Sequence, residues 1–180
     1  MSILVTYATK YGSTQGIAER IATSLKAQGL KVELQPITIS RDVAGYEALV
    51  IGSAAYMGSW LKDAAEFVRR NRSILSTKPV WLFSSGPLGT ATTDHQGRDV
   101  LVASEPKEFA EFQEAIKPRS LRVFFGALDR GKLKGAHRLV AMVPASKAVL
   151  IEGDFRDWKA IEAWAESIAH ELRQAVVATG

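Results

Sequence analysis

Ile3-Leu4-Val5-Thr6-Tyr7, followed after one residue by Thr9-Lys10-Tyr11-Gly12-Ser13-Thr14, is the stretch on which the fold turns. The first run is apolar enough for a strand buried on both faces. The second carries three hydroxyl residues and a glycine, and beyond it Ile17-Ala18 and Ile21-Ala22 repeat at helical spacing. A strand that turns directly into a helix presents the helix's first unpaired N–H groups and its positive dipole end, which suits a phosphate. Hydroxyls at Thr9, Ser13 and Thr14 add neutral donors, and Gly12 lets the backbone approach a ligand. The same turn reads equally well as an ordinary helix start with Ser13 as N-cap. Neither Gly-x-Gly-x-x-Gly nor Gly-Lys-Ser/Thr occurs, which excludes the dinucleotide fingerprint and the nucleoside-triphosphate loop.

Outward from this turn, apolar strands alternate with amphipathic helices. Strands are expected over 2–7, 31–37, 48–53, 79–84 and 121–128. Helices are expected over 13–28, ended by Gly29, then over 62–75 and 105–116, with an extra short one over 132–143 closed by Pro144. A short extended piece is expected over 149–152. Asp157 reads as the cap of a long last helix with Trp158, Ile161, Trp164, Ile168 and Leu172 on one side. Five strands alternating with helices predict an α/β doubly wound parallel sheet covered on both faces, with its ligand at the carboxyl ends of the strands.

The chain has 180 residues, 47% apolar and 23% charged, which fits one domain with a proper core over 1–176, interrupted by an insertion at about 129–147. Cysteine is absent, so disulfides, thiol catalysis and Cys-ligated metals are excluded. No basic leader precedes the first strand and no run of about 18 apolar residues occurs, so a cytoplasmic protein is expected. His95, His137 and His170 are scattered without metal-ligand spacing, and no carboxylate pair stands out; no metal is expected and catalytic residues stay unassigned. Asp94 and Asp99 read as part of a solvated loop around His95.

The segment Thr9 to Thr14, directly after the first strand, resembles the FMN phosphate loop of flavodoxins, with Thr6 departing from the usual aliphatic or aromatic residue. Val50-Ile51-Gly52-Ser53, Phe125-Gly126-Ala127-Leu128 and the closing Asp157-Trp158 with Ile168-Ala169 are similar to segments of the menaquinone-dependent protoporphyrinogen dehydrogenases, a flavodoxin-like group. The resemblance implies a flavodoxin-like fold and FMN as cofactor. If Thr9, Lys10, Tyr11, Gly12, Ser13 and Thr14 hold the phosphate, the loops after the third and fourth strands hold the ring. The first of these offers Ser53, Ala54, Ala55, Tyr56, Met57 and Gly58, with Tyr56 read as a stacking residue and Trp60 at least as well read as packing on the next helix. The second offers Ser84, Ser85, Gly86, Pro87, Leu88 and Gly89, whose N–H groups would meet the pyrimidine edge. Flavodoxins usually carry acidic residues and a tyrosine there; Leu88 in their place implies redox potentials unlike theirs.

The net charge of +4 differs from the acidic balance of typical flavodoxins and argues against a general shuttle docking on basic partners. Lys117, Arg119, Arg122, Arg130, Lys132, Lys134 and Arg138 face a single acid, Asp129, within one segment. This reads as a solvated basic face, with peripheral contact to an anionic membrane surface, an acidic partner or an anionic substrate as the alternatives. No aromatic platform is interleaved with the charges, so nucleic acid is not an expected partner. The leading expectation is an FMN-dependent oxidoreductase that passes electrons to a quinone or other small acceptor; the alternative is a flavodoxin-type carrier serving a redox partner protein. Neither the identity of the acceptor, a porphyrin included, nor the oligomeric state is implied by these residues.

Overall fold

A computed structural model describes residues 1–40, 42–133 and 151–178. Five parallel strands form the sheet: β1 (Ser2–Ala8), β2 (Lys31–Pro36), β3 (Ala48–Tyr56), β5 (Val80–Ser85) and β6 (Ser120–Phe124). Their order is β2-β1-β3-β5-β6, and a two-residue strand, β4 (Ser59–Trp60), folds back antiparallel on β3. The order reverses between β1 and β3, which places a switch point at the carboxyl ends of those two strands. The α/β doubly wound sheet expected from the alternating pattern is the one observed.

Apolar residues on successive positions of β1 serve two cores. On one face α1 (Ser13–Ala27) and α6 (Trp158–Ala178) bury Ile17, Ile21, Leu25, Ile161, Trp164 and Ile168 against Ile3, Val5, Val50, Trp81 and Phe83. On the other, α2 (Lys62–Arg70), α3 (Arg72–Leu75) and α5 (Glu108–Ile116) bury Ala64, Phe67, Val68, Leu75, Phe109 and Phe112 against Leu4, Leu49, Ile51 and Leu82. Two clusters on opposite faces of the sheet explain why β1, β3 and β5 read as continuous apolar runs rather than alternating ones.

The ends of these elements follow local chemistry. Helix α1 stops where Gly29 takes a φ of +80°; its N–H bonds to Lys26 O and the Leu30 N–H to Leu25 O, a Schellman closure. The helix expected over 62–75 is two helices, because the Asn71 side-chain amide and its N–H both turn back to Phe67 O. The strand expected to end at 53 runs on to Tyr56, extended by its pairing with β4. The last strand, expected over 121–128, breaks at Phe125-Gly126: the Gly126 N–H goes to Pro87 O and its carbonyl accepts from Phe155 N–H. Beyond the break, β7 (Ala127–Leu128) pairs antiparallel with β8 (Gly153–Asp154) as a separate two-stranded ribbon.

The expected helix over 132–143 lies almost entirely outside the described residues, and the extended piece over 149–152 lies half outside them. At the flanks of that region a 3-10 turn spans Arg130–Lys132 and residues 151–152 carry no strand. In the loop after β5, Asp94 organises a turn through Gln96 and Arg98, and Asp99 caps the short helix α4 (Val100–Ala103), which the sequence reading did not anticipate.

Candidate cofactor site

Three loops meet above the carboxyl ends of β1, β3 and β5. In the first, Gly12 holds the N-cap position of α1 at a φ of +91°, and no side chain caps the helix. The expectation that Ser13 is the N-cap is therefore corrected. Gly12 supplies the left-handed entry, and the Ser13 hydroxyl, already one residue inside the helix, accepts instead from Ala127 N–H at 2.8 Å. Thr9 Oγ1 closes the turn by accepting from Gly12 N–H at 3.0 Å. Thr14 is fully buried, its hydroxyl 2.8 Å from Ser85 Oγ. The three hydroxyls thus shape the turn from within, and no side chain takes the N–H groups that a helix start leaves unpaired.

Of the residues expected after β3, Ser53 and Ala54 are buried strand positions. Ser53 Oγ donates to Ala54 O and accepts from Leu61 N–H. Ala55 is half-buried, and Tyr56, Met57 and Gly58 are exposed. Met57 and Gly58 are the two central residues of the β3–β4 hairpin, at φ of +51° and +72°, which is the signature of a primed turn. Helix α5 supports this hairpin from behind: Lys107 N–H bonds to Gly58 O at 3.0 Å, and the buried Glu108 accepts from Trp60 N–H at 3.0 Å. Trp60 is buried edge-on to Phe109 and Phe112, so it packs. Tyr56 lies beneath Lys10, whose Nζ is 5.7 Å from the ring centre. Partial burial, with the Tyr11 phenol beside it, pushes the Tyr56 hydroxyl up to about 12.

At the end of β5, Ser84 and Ser85 are buried strand positions, and Ser84 Oγ has no hydrogen-bond partner among the described residues. Gly86, Pro87 and Leu88 are half-buried and Gly89, at φ +101°, is buried. Leu88 rests with Tyr11 on a small apolar cluster of Leu128 and Leu133. The loops come within touching distance at glycines. A Cβ on Gly86 would lie 3.5 Å from Ala55 Cβ, and one on Gly126 would lie 3.3 Å from Ser13 Oγ and 3.7 Å from Leu88. In front of Gly12, by contrast, nothing lies within 4 Å of the place a Cβ would take. An uncapped helix start opening onto free space, flanked by an aromatic ring on one loop and an aliphatic residue on another, fits a flavin phosphate and its planar ring.

Sequence reasoning missed the supports. Gly126-Ala127, Lys107, Glu108 and the Asp154–Arg156 pair act across 48 to 143 residues of chain. The break at Gly126 was the one signal in the sequence, a glycine within an otherwise strand-like run. The basic segment is also rearranged by the fold: Lys117 and Arg119 sit at the amino end of β6, Arg122 along it, and Arg130 and Lys132 beyond its carboxyl end. They do not form one patch among the described residues. Among the described residues, no helix is long and apolar enough to cross a membrane.

A flavodoxin domain model matches residues 4–147. Protoporphyrinogen IX dehydrogenase [quinone] of Escherichia coli K12 is 23% identical over 94% of this chain and 96% of its own. Among solved structures, flavodoxin 2 of Bacillus cereus superposes with a TM-score of 0.61 at 19% identity, over 95% of this chain and 99% of its own. An archaeal flavodoxin gives 0.58 at 15% identity, over 96% and 99%. Rubredoxin oxygen:oxidoreductase of Desulfovibrio gigas gives 0.62 at 14% identity, with 97% of this chain spanning 37% of that longer protein. With the strand order, the uncapped turn at Gly12 and the converging loops already in place, the family match makes the chain a member of the flavodoxin domain family, whose redox cofactor is FMN.

Proposed function

We propose that the chain is an FMN-dependent oxidoreductase that passes electrons between its flavin and a quinone or other small acceptor. The observation that carries this reading is the end-to-end similarity to a quinone-linked dehydrogenase, joined to a net charge of +4 that does not suit a carrier docking on basic partners. Bound FMN supplies the two-electron and one-electron chemistry. The chain's own contribution is binding and access. In this reading the turn from Tyr11 to Thr14 takes the phosphate, through the Ser13 and Thr14 N–H groups at the helix start, and Tyr56 and Leu88 take the two faces of the ring. Ala55, Gly86 and Pro87 set its edge, while Ser53, Ala54, Ser84, Ser85 and Gly89 hold the loops from the strands. Lys10, Met57 and Gly58 form the rim that an acceptor meets. The same reading takes residues 1–176 as one unit, with 129–147 inserted into it, working in the cytoplasm.

The test is stopped-flow reoxidation of the FMN-loaded, reduced protein by a water-soluble naphthoquinone under anaerobic conditions. Expected is a rate that saturates with quinone and exceeds that of free reduced FMN. A rate no faster than free flavin, with transfer only when a partner protein is supplied, supports the carrier reading and overturns this one.

A further inference from the structure

Arg156 follows β8 and makes contact in three directions. Its guanidinium forks onto Asp154, with Nε to Oδ1 at 2.7 Å and Nη2 to Oδ2 at 2.5 Å. It lies 4.3 Å from the centre of the Trp158 ring, and Nη1 donates to the Ser13 carbonyl at 3.4 Å. The side chain is only 17% exposed. Gly16, one turn into α1, is what admits it: a Cβ at that position would stand 2.3 Å from Nη1.

Ser13 is therefore held twice, through its hydroxyl by Ala127 N–H and through its carbonyl by Arg156. Ala127 and Asp154 are partners across the β7–β8 ribbon, so the four residues form a closed circuit. That circuit ties the ribbon to the first turn of α1, the turn that starts at Gly12, where nothing lies within 4 Å of the place a Cβ would take. Because Asp154 neutralises the guanidinium locally, the effect of Arg156 on an anion is geometric: it fixes the direction in which that turn's N–H groups point.

We propose that Arg156, seated over Gly16, is a positioning residue that orients the first turn of α1 for the phosphate of FMN. This rests on the phosphate-turn reading above. FMN and riboflavin differ in the phosphate alone, so the pair of ligands isolates the role. The experiment titrates the full-length protein with each flavin, following quenching of flavin fluorescence, and records a thermal unfolding curve for every variant.

Wild type should bind FMN more tightly than riboflavin. Arg156→Ala and Gly16→Ala should each lower FMN affinity about tenfold, the scale of one lost hydrogen bond to a charged group, and leave riboflavin affinity unchanged. Gly16→Ala keeps the test informative if Arg156→Ala folds poorly, because alanine is the better helix former and the atom it displaces is the free end of a long side chain. The double variant should be no worse than Arg156→Ala, since the clash at Gly16 vanishes with the guanidinium. Equal losses for both flavins, no loss for either, or additive losses in the double variant overturn the brace. A wild type that binds riboflavin as tightly as FMN overturns the phosphate-turn reading instead.

Discussion

Thr14 shows how one residue type serves two purposes at this turn. A hydroxyl at the end of the loop reads in the sequence as a phosphate donor, but its buried bond to Ser85 Oγ makes it the rivet between the α1 turn and the end of β5. Thr14→Ala strands the Ser85 hydroxyl in the interior. The expected loss is about 1–3 kcal/mol of stability by urea denaturation, with weaker FMN retention following from the loosened turn. Unchanged stability would remove the rivet. Gly52 is a second single-residue constraint. The Phe83 ring crosses it so closely that a Cβ would lie 2.0 Å from a ring carbon, and Phe83 is itself wedged against Phe124 and Trp164. Gly52→Ala should cost about 1–3 kcal/mol, the range for overpacking a filled core, read from the shift in urea midpoint. The sequence shows a glycine in a strand; only the packing shows what presses on it.

At the scale of elements, the β3–β4 hairpin and the β7–β8 ribbon are pieces that the strand–helix alternation does not announce. The hairpin places a methionine at a φ of +51°, a conformation that disfavours most side chains, and leaves Met57 wholly exposed. Asn tolerates that conformation, and Asn-Gly is the preferred pair for such a turn. Met57→Asn should therefore raise stability by about 0.5–1 kcal/mol in chemical denaturation. A loss would mean that the turn, or the supports from Lys107 and Glu108, had been misjudged. The ribbon was hidden because the eight-residue run at 121–128 continues apolar through Phe125. The chain leaves the sheet there only because Gly126 finds its partners in Pro87 and Phe155, far away in sequence.

For the whole molecule, the pH dependence of stability follows from groups on opposite sides of the fold. Burial first, then the Glu33 hydrogen bond, pushes the Tyr46 phenol up to about 12, and Tyr56 stands at a similar level. Below pH 10 both phenols are neutral in the folded and unfolded chains and contribute no slope. Between pH 10 and 12 the unfolded chain ionises first, so stability falls as pH rises. Tyr46→Phe combined with Tyr56→Phe should flatten that alkaline fall in urea midpoints, and an unaltered slope would refute the assignment. On the acid side the Arg156 hydrogen bond holds the Asp154 carboxyl below its usual value, and Arg69 does the same for Glu111. Stability from these pairs is present above about pH 4 and is lost as pH falls further.

The sequence by itself determined the layered α/β sheet, the strand-to-helix turn over Thr9 to Thr14, the Gly29 stop and the Asp157 cap on Ala160 N–H. All of these rest on periodicity and local backbone chemistry within a few residues, which a linear reading can see. Tertiary structure alone decided that Ser13 faces Ala127 rather than capping α1, that Trp60 packs on α5, and that Arg156 reaches the first turn of α1. It also decided that the basic segment divides along β6. Each of these depends on which distant segments the sheet order brings together, and neighbouring residues in the chain carry no record of that.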